Sequence, residues 1–246
     1  MPFRPAHLLC LLLAAPSVAG ACGAVSDAAK VQAAAAAEIV LTDGRHVRLG
    51  GLWLAPQAGN VLGRRSGEQV GVALLAPKAD RWGRLIVDLV GADGQSVALD
   101  LLERGYALVR PEPETRACEP ERLAAEAGAR AAGEGVWAAP DAVIAATDVA
   151  ALAKADGRFA LVSGIVRRVG GARAKVYLDF AGRDGFAVVV ARKAEPGFRR
   201  AGVDLKALAG QRVLVRGVLD VRFGPRIEVA DPAMIEPMER ETGRGG

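Results

Sequence analysis

Short apolar runs with alternating polar positions recur along the chain and predict a mostly β protein. In the first half, a turn on Asp43-Gly44 joins two of the predicted strands. These strands are predicted at 38–41, 47–52, 70–75 and 84–89. Helical spacing predicts a helix at 97–108, and Pro120 with acidic neighbours predicts the start of another, which ends near Ala132.

Residues 22–35 are rich in alanine and poor in large apolar groups, so they are predicted as a tether, with a short helix as the alternative. Glycines at positions 59, 63 and 67 predict a loop in the segment that follows Pro56, because glycine disfavours helix interiors. Residues 139–156 are predicted as a linker or short helix, and 239–246 as a disordered tail.

The second half has its own β pattern, with one helical stretch at 198–209 between the third and fourth strands. The five strands are predicted at 159–169, 175–180, 186–191, 212–221 and 226–229. This order of elements is that of the oligonucleotide/oligosaccharide-binding (OB) barrel. It predicts an OB-fold-like domain over 157–238.

The N-terminus has the pattern of a secretory signal peptide over residues 1–21. Arg4 precedes a short apolar run, which ends in the small residues Ala19-Gly20-Ala21. A buried N-terminal helix is the alternative. No segment reaches the roughly 18 apolar residues of a membrane span, so we expect an exported, periplasmic or secreted protein without a transmembrane segment.

Export would leave Cys22 and Cys118 in an oxidising compartment, where a disulfide between them is possible but not proved by two cysteines alone. Cys22 directly follows the small residues of the cleavage site, which also allows a lipid anchor at this cysteine. Ala19 is smaller than the aliphatic residue that usually occupies its position before a lipidated cysteine.

The basic charge lies in the second half of the protein. Residues 158–226 contain 15 basic and 5 acidic side chains, a balance of +10, whereas the whole chain carries +4. Basic side chains and an exposed aromatic ring are what binding of DNA, RNA or another polyanion requires. The candidate nucleic-acid-binding residues are Arg167, Arg168, Arg173, Lys175, Tyr177 and Arg192. A solvated basic surface without a ligand is the alternative.

Two arginine motifs of the first half carry a family resemblance. Residues 43–56 read DGRHVRLGGLWLAP, and residues 80–84 read DRWGR. LLERGYA at 101–107 and AAEAGAR at 124–130 follow, closed by GVW at 135–137. In this order the motifs resemble the thermonuclease (staphylococcal nuclease-like) family over 36–138. The resemblance implies an OB-type barrel with C-terminal helices, so the expected fold is α+β, with two five-stranded OB-type barrels in series.

In that family, two aspartates bind calcium, a glutamate aligns the attacking water and two arginines bind the phosphate. The resemblance places Arg48 and Arg84 at the two arginine positions. Its carboxylates are missing, because Arg45, Leu54 or Trp53, and Gln57 occupy their positions. A glutamine can hydrogen-bond a water but cannot take its proton at neutral pH. No Cys/His cluster has zinc spacing, so no metal site and no cofactor are predicted.

Three functions follow from this sequence. The leading one is binding of nucleic acid or another polyanion without efficient calcium-dependent phosphodiester hydrolysis. The second is an active nuclease that holds Ca²⁺ with replacement carboxylates, for which Asp43, Asp80 and Glu68 are the nearby candidates. The third is a periplasmic scaffold whose barrels bind a protein or an envelope polymer.

Overall fold

The protein is described from a computed structural model, which covers residues 22–35, 38–182 and 185–238. The predicted signal peptide at 1–21 and the predicted tail at 239–246 lie outside the described residues. Within the described part of the chain, no helix has the length and apolar character needed to cross a membrane.

A closed five-stranded barrel forms the first unit of the fold, which confirms the barrel predicted there. In chain order the barrel strands are β1 (Val25–Ala34), β2 (Ile39–Leu41), β3 (His46–Leu49), β5 (Gln69–Leu74) and β6 (Leu85–Val90), and β4 (Leu52–Leu54) lies outside the barrel. Among the described residues of the barrel, only β3 and β6 run parallel. The five strands meet in the order β1-β2-β3-β6-β5, and β5 returns to β1. Alternate residues of these strands fill the barrel, including the fully buried Leu41, Val47 and Val87.

The prediction of a tether at 22–35 is wrong, because these residues form strand β1. This strand pairs with β2 on one side and with β5 on the other, so it closes the barrel. Ala29 and Val31 point inward and are buried. Alanine has a low strand propensity, and here pairing on both sides outweighs it.

Three helices accompany the barrel. The segment that the glycines predicted as a loop contains α1 (Ala58–Gly63). The predicted helix at 97–108 is shorter, because α2 (Val97–Glu103) ends before Gly105, whose φ of +63° favours glycine, and β7 (Ala107–Val109) follows. Strand β7 pairs with β4. The second predicted helix is confirmed as α3 (Glu119–Ala132), with proline in its first turn and Gly133 at its end.

The second unit is a sheet around a separate core. The linker region contains β8 (Ile144–Ala145) and α4 (Val149–Lys154), and the predicted strand at 159–169 is split into β9 (Phe159–Ile165) and β10 (Arg168–Gly171). The remaining elements are β11 (Lys175–Asp179), β12 (Ala187–Ala191), α5 (Glu195–Arg200), β13 (Arg212–Asp220), β14 (Arg226–Val229) and β15 (Ile235–Pro237).

The strands of this sheet run in the order β10-β11-β12-β14-β13-β9-β8, and β15 pairs with β13. Strands β12 and β14 are parallel neighbours, as β3 and β6 are in the first barrel. Phe186 and Phe198 lie in the buried core of this unit. The pairing does not close the sheet, so a second barrel remains a prediction.

A disulfide joins Cys22, before β1, to Cys118, before α3. It ties the first strand of the barrel to the start of the helix that covers the barrel. The sulfur of Cys22 is used in this bond, so it cannot also carry a lipid. The structure therefore supports the disulfide over the lipid anchor considered from the sequence.

The two units share a buried interface. Leu108 of the first unit packs with Leu161 and Leu214 of the second. Within this interface, Arg216 of β13 is fully buried and donates to Glu126 Oε1 of α3 at 2.8 Å. Glu126 also accepts a hydrogen bond from the Val109 backbone N–H. This ion pair joins a strand of the second unit to a helix of the first.

A second charged group near the interface lacks such a partner. Glu119 is 7% exposed, and its Oε1 has no hydrogen-bond partner among the described residues. Burial and the nearby Asp231 carboxylate raise the pKa of Glu119 to about 7, against the attraction of Arg116 and Arg122. The folded protein therefore disfavours the ionised form of this side chain.

Glu119→Gln should stabilise the protein at high pH. An unfolded glutamate titrates near its ordinary pKa of 4.5, so the wild type loses stability as the pH rises from about 4.5 to about 7. At pH 8 we expect the variant to exceed the wild type by roughly 1–3 kcal/mol in free energy of unfolding. The difference should shrink toward pH 4, as measured by urea denaturation. A difference that is the same at both pH values would contradict the buried, unpaired carboxylate.

Candidate functional site

The two arginines predicted from the family resemblance meet at one side of the first barrel. Arg48 lies on β3 between the buried Val47 and Leu49, so its side chain points away from the barrel core. Arg84 directly precedes β6, the parallel neighbour of β3, in which Ile86 is the partner of Arg48. The parallel pairing therefore brings these two side chains to the same edge of the barrel.

Both guanidinium groups contact one carboxylate oxygen, Oδ2 of Asp80. Arg84 reaches it with Nη2 at 2.7 Å and Nε at 3.0 Å, and Arg48 with Nε at 3.4 Å. The other oxygen, Oδ1, accepts hydrogen bonds from the backbone N–H groups of Trp82 and Arg84. Asp80 thus orders the turn at 80–84 and brings the two arginines together.

Asp80 remains ionised in this setting. Burial alone would raise its pKa, but the side-chain and backbone hydrogen bonds from Arg84 and the one from Trp82 lower it from 3.8 to about 2. Near neutral pH the two guanidinium groups therefore share one negative charge.

A second carboxylate holds Arg48 from the other side. Arg48 Nη1 donates to Glu112 Oε2 at 2.9 Å, and the Gly51 N–H donates to the same oxygen at 3.0 Å. Gly51 has a φ of +70°, and a Cβ there would lie 2.5 Å from Thr115 Oγ1, so this position requires glycine. Arg110 Nη2 lies 3.6 Å from Glu112 Oε1. Arg84, Asp80, Arg48, Glu112 and Arg110 thus form a row of alternating charges with a net charge of +1.

Arg48, Asp80, Arg84 and Arg110 of this row line a pocket of about 370 Å³, which we call the arginine pocket. The aromatic side chains of Trp53 and Trp82 also line it. Trp82 is 64% exposed, with the Arg81 guanidinium 3.9 Å from its ring centre and that of Arg84 at 4.9 Å. The other residues that line the arginine pocket are Ala35, Glu38, Ile39, Leu49, Leu52 and Leu54. The pocket combines cations with aromatic surface.

The residues present do not fit the calcium site of the thermonuclease family. Arg45 forms ion pairs with Asp27 and Asp43, and neither Arg45 nor the exposed Gln57 lines the arginine pocket. Leu54 lines it with an apolar side chain. In the described ranges, no group of three or more Asp, Glu, His or Cys side chains is arranged to hold a metal ion. At the positions that the resemblance assigns to the carboxylates, Arg45, Leu54 and Gln57 offer no carboxylate to a hard divalent cation.

The three candidate replacement carboxylates lie apart and are bound to arginines. Asp43 pairs with Arg45, and Glu68 pairs with Arg65 at 2.9 Å. Of the three, only Asp80 lines the arginine pocket. The side chains of the arginine pocket can therefore bind an anion, but they do not bring these carboxylates together around a metal ion.

The face predicted for nucleic-acid binding in the second unit is partly neutralised. Ion pairs join Arg168 to Asp179, Lys175 to Glu228 and Arg192 to Glu195. Among the described residues, the side chains of Arg167 and Arg173 make no ion pair. Tyr177, the candidate for the exposed aromatic ring, lies on the outer side of β11 between the inward Val176 and Leu178, but it is half-buried rather than exposed.

Sequence reasoning missed Glu112 and Arg110. Glu112 lies 64 positions from Arg48 between two prolines, and no periodicity or motif marks it as a partner. Arg110 follows β7 as one basic residue of a loop. The only signal was the family resemblance, which concerned Arg48 and Arg84 alone.

Residues 58–139 match a family model, that of the staphylococcal nuclease homologue. No curated protein matches the chain. The matched segment includes Asp80, Arg84 and Glu112 of the site and the helices that follow the barrel. The closed five-stranded barrel agrees with this match, while Arg48 lies before the matched segment. The chain therefore contains a thermonuclease-like domain of the staphylococcal nuclease type, a nuclease-like, nucleic-acid-binding family.

Proposed function

We propose that this protein binds nucleic acid through the arginine pocket without efficient calcium-dependent hydrolysis. One observation carries the proposal: the guanidinium groups of Arg48 and Arg84 converge on a single carboxylate oxygen of Asp80. A phosphate oxygen also carries negative charge and accepts the same hydrogen bonds, so a phosphate could make the contacts that the Asp80 carboxylate makes with these arginines.

Asp80 also sets the strength of binding, because a phosphate must compete with it for the arginines. Arg48 Nη2 has no partner in the described part of the chain, so a phosphate gains at least one donor without displacing Asp80. We therefore expect weak, salt-dependent binding driven by counterion release, with little preference for sequence.

Hydrolysis would need a group that takes a proton from water, and Gln57 cannot do so. It would also need stabilisation of the charge that develops on the phosphate. Arg48 and Arg84 can supply part of this stabilisation, but the described residues include no group of three or more carboxylates, histidines or cysteines arranged for a metal ion. The pocket would then bind a phosphate, as the family does, without hydrolysing the phosphodiester.

One experiment should distinguish binding of a nucleic acid from its cleavage. The purified protein should retain a labelled single-stranded DNA at low salt equally well with calcium or with a chelator, and should leave it uncut. Arg48→Ala should weaken binding roughly tenfold or more, because a charge-assisted hydrogen bond is lost. Asp80→Asn keeps one acceptor oxygen for the N–H groups of the turn and removes the charge that competes with a phosphate, so binding should tighten. Fluorescence anisotropy and gel electrophoresis measure both.

Arg45→Ala is the matched control, since this arginine lies outside the arginine pocket and pairs with Asp27 and Asp43. It should change binding less than Arg48→Ala does. Calcium-dependent cleavage that Arg48→Ala abolishes would instead support the active nuclease. Absence of DNA and RNA binding at low salt would support a scaffold that binds a protein or an envelope polymer.

We also propose export with removal of residues 1–21. The Cys22–Cys118 disulfide supports it, because such bonds persist in oxidising compartments. The Cys22 backbone nitrogen also donates to the buried Asp88 carboxylate at 2.9 Å, so cleavage after Ala21 would place an α-ammonium group beside a negative charge. N-terminal sequencing of the protein from its native host checks this, and a sequence that begins at Met1 or Pro2 would exclude it.

A further inference from the structure

The arginine pocket continues toward the second unit through Arg110. The Arg110 side chain lines the arginine pocket and also a neighbouring pocket of about 390 Å³. The neighbouring pocket is formed mainly by the second unit, including Phe159, Val218, Arg222 and Arg226. We call the two pockets together the inter-unit groove.

Stacked aromatic rings join the two halves of this groove. Trp53 lines the arginine pocket, and Phe159 lines the neighbouring one. Their ring centres are 6.1 Å apart with an angle of 17° between the planes, a stacked arrangement. An aromatic surface therefore runs across the boundary between the units.

Two exposed aromatic rings lie beside the inter-unit groove, Trp82 in the lining of the arginine pocket and Phe223 against Arg226 of the neighbouring pocket. Trp82 lies at the arginine pocket, and Phe223 lies in the turn between β13 and β14, beside Arg222. They are 64% and 81% exposed, the highest values among large apolar side chains in the described ranges. Each ring has an arginine over it, Arg81 at 3.9 Å from Trp82 and Arg226 at 5.2 Å from Phe223.

The cations along the groove are accessible. The side chains of Arg110 and Arg222 are 55% and 77% exposed. Arg81 is exposed as well, and its only partner among the described residues is the Trp82 ring. Accessible arginines between exposed rings provide contacts to phosphates and bases in alternation.

We propose that one single-stranded nucleic acid lies along the inter-unit groove, with unpaired bases stacked at Trp82 and Phe223 and its phosphates near Arg110. This inference rests on the proposed function and extends it by naming the form of nucleic acid and the path across both units. The bases of a duplex are already stacked on one another, so the exposed rings select a single strand. Phe223 thereby becomes a binding residue outside the nuclease-like domain.

The test uses a labelled oligothymidylate of about 16 nucleotides, the upper end of the site size of one OB-type unit. Trp82→Ala and Phe223→Ala should each weaken its binding by about 5- to 100-fold. Arg110→Ala should lower the slope of log affinity against log salt by about one. Binding of a duplex with the same number of base pairs should change little in the two aromatic variants. Fluorescence anisotropy measures these affinities, and unchanged thermal unfolding shows that the variants are folded.

Arg199→Ala is the matched control for Arg110→Ala, since Arg199 is an exposed arginine of α5 outside the inter-unit groove. It should leave the salt slope unchanged. If the wild type binds and Arg48→Ala weakens binding while Phe223→Ala does not, the proposed function stands and the groove is overturned. A loss in Tyr177→Ala without a loss in Phe223→Ala overturns it in favour of the outer side of β11. A wild type that binds no oligonucleotide at low salt overturns both proposals.

Discussion

Arg216→Ala should lower the free energy of unfolding by about 3–5 kcal/mol, because it leaves a buried carboxylate without its partner. Arg216 is fully buried and Glu126 is 2% exposed, so water cannot replace the lost contact. The same substitution also removes hydrogen bonds from Arg216 to the Val109 carbonyl and to Glu236. The midpoint of urea denaturation measures the loss.

Arg168→Ala is the control, because it breaks an ion pair with Asp179 in which the arginine side chain is 78% exposed. Exposed pairs contribute about 0–1 kcal/mol. The double variant Arg216→Met/Glu126→Leu should lose less than Arg216→Ala alone, because both charges are then absent from the interface. Equal losses in Arg216→Ala and Arg168→Ala would mean that the interface tolerates an unpaired Glu126.

Removing the disulfide should cost about 2–5 kcal/mol in free energy of unfolding. Cys22 and Cys118 are 96 positions apart, so the bond closes a long loop and restricts the unfolded chain strongly. The variant Cys22→Ala/Cys118→Ala should unfold at a lower urea concentration than the oxidised wild type.

Reductant provides the internal control for this prediction. It should shift the wild type to the midpoint of the double variant and leave the double variant where it is. A wild type whose thiols are fully reduced but whose midpoint is unchanged would show that the loop contributes nothing to stability.

The sequence was sufficient to predict those strands and helices that are specified by short-range patterns of residues. Alternation located β11, a short apolar run located β12, and turn residues separated the strands of the first barrel. The motifs named Arg48 and Arg84, and the parallel pairing of β3 with β6 brings these two arginines to one pocket. Strand β1 was missed because alanine carries a weak local preference, and its strand form arises from pairing with β2 and β5.

The ion-pair partners of Arg48 and Arg216 could not be predicted from the sequence. Glu112 reaches Arg48 across the fold, and Glu126 reaches Arg216 over 90 positions. Arg216 reads as one more cation in a basic segment, although it is the most deeply buried charge among the described residues. Which charges face water and which face each other depends on packing that no local pattern contains.

The Arg216–Glu126 pair also bears on how this chain can be divided. A cut between the units would expose Leu108, Leu161 and Leu214, and it would separate Glu126 from Arg216, which would keep only Glu236 as an ion-pair partner. Neither half is then a self-sufficient module, although each has its own core. A protein that acquired only one of the two units would lack the surface and the ion-pair partner that match it. We therefore expect the two units to be inherited together.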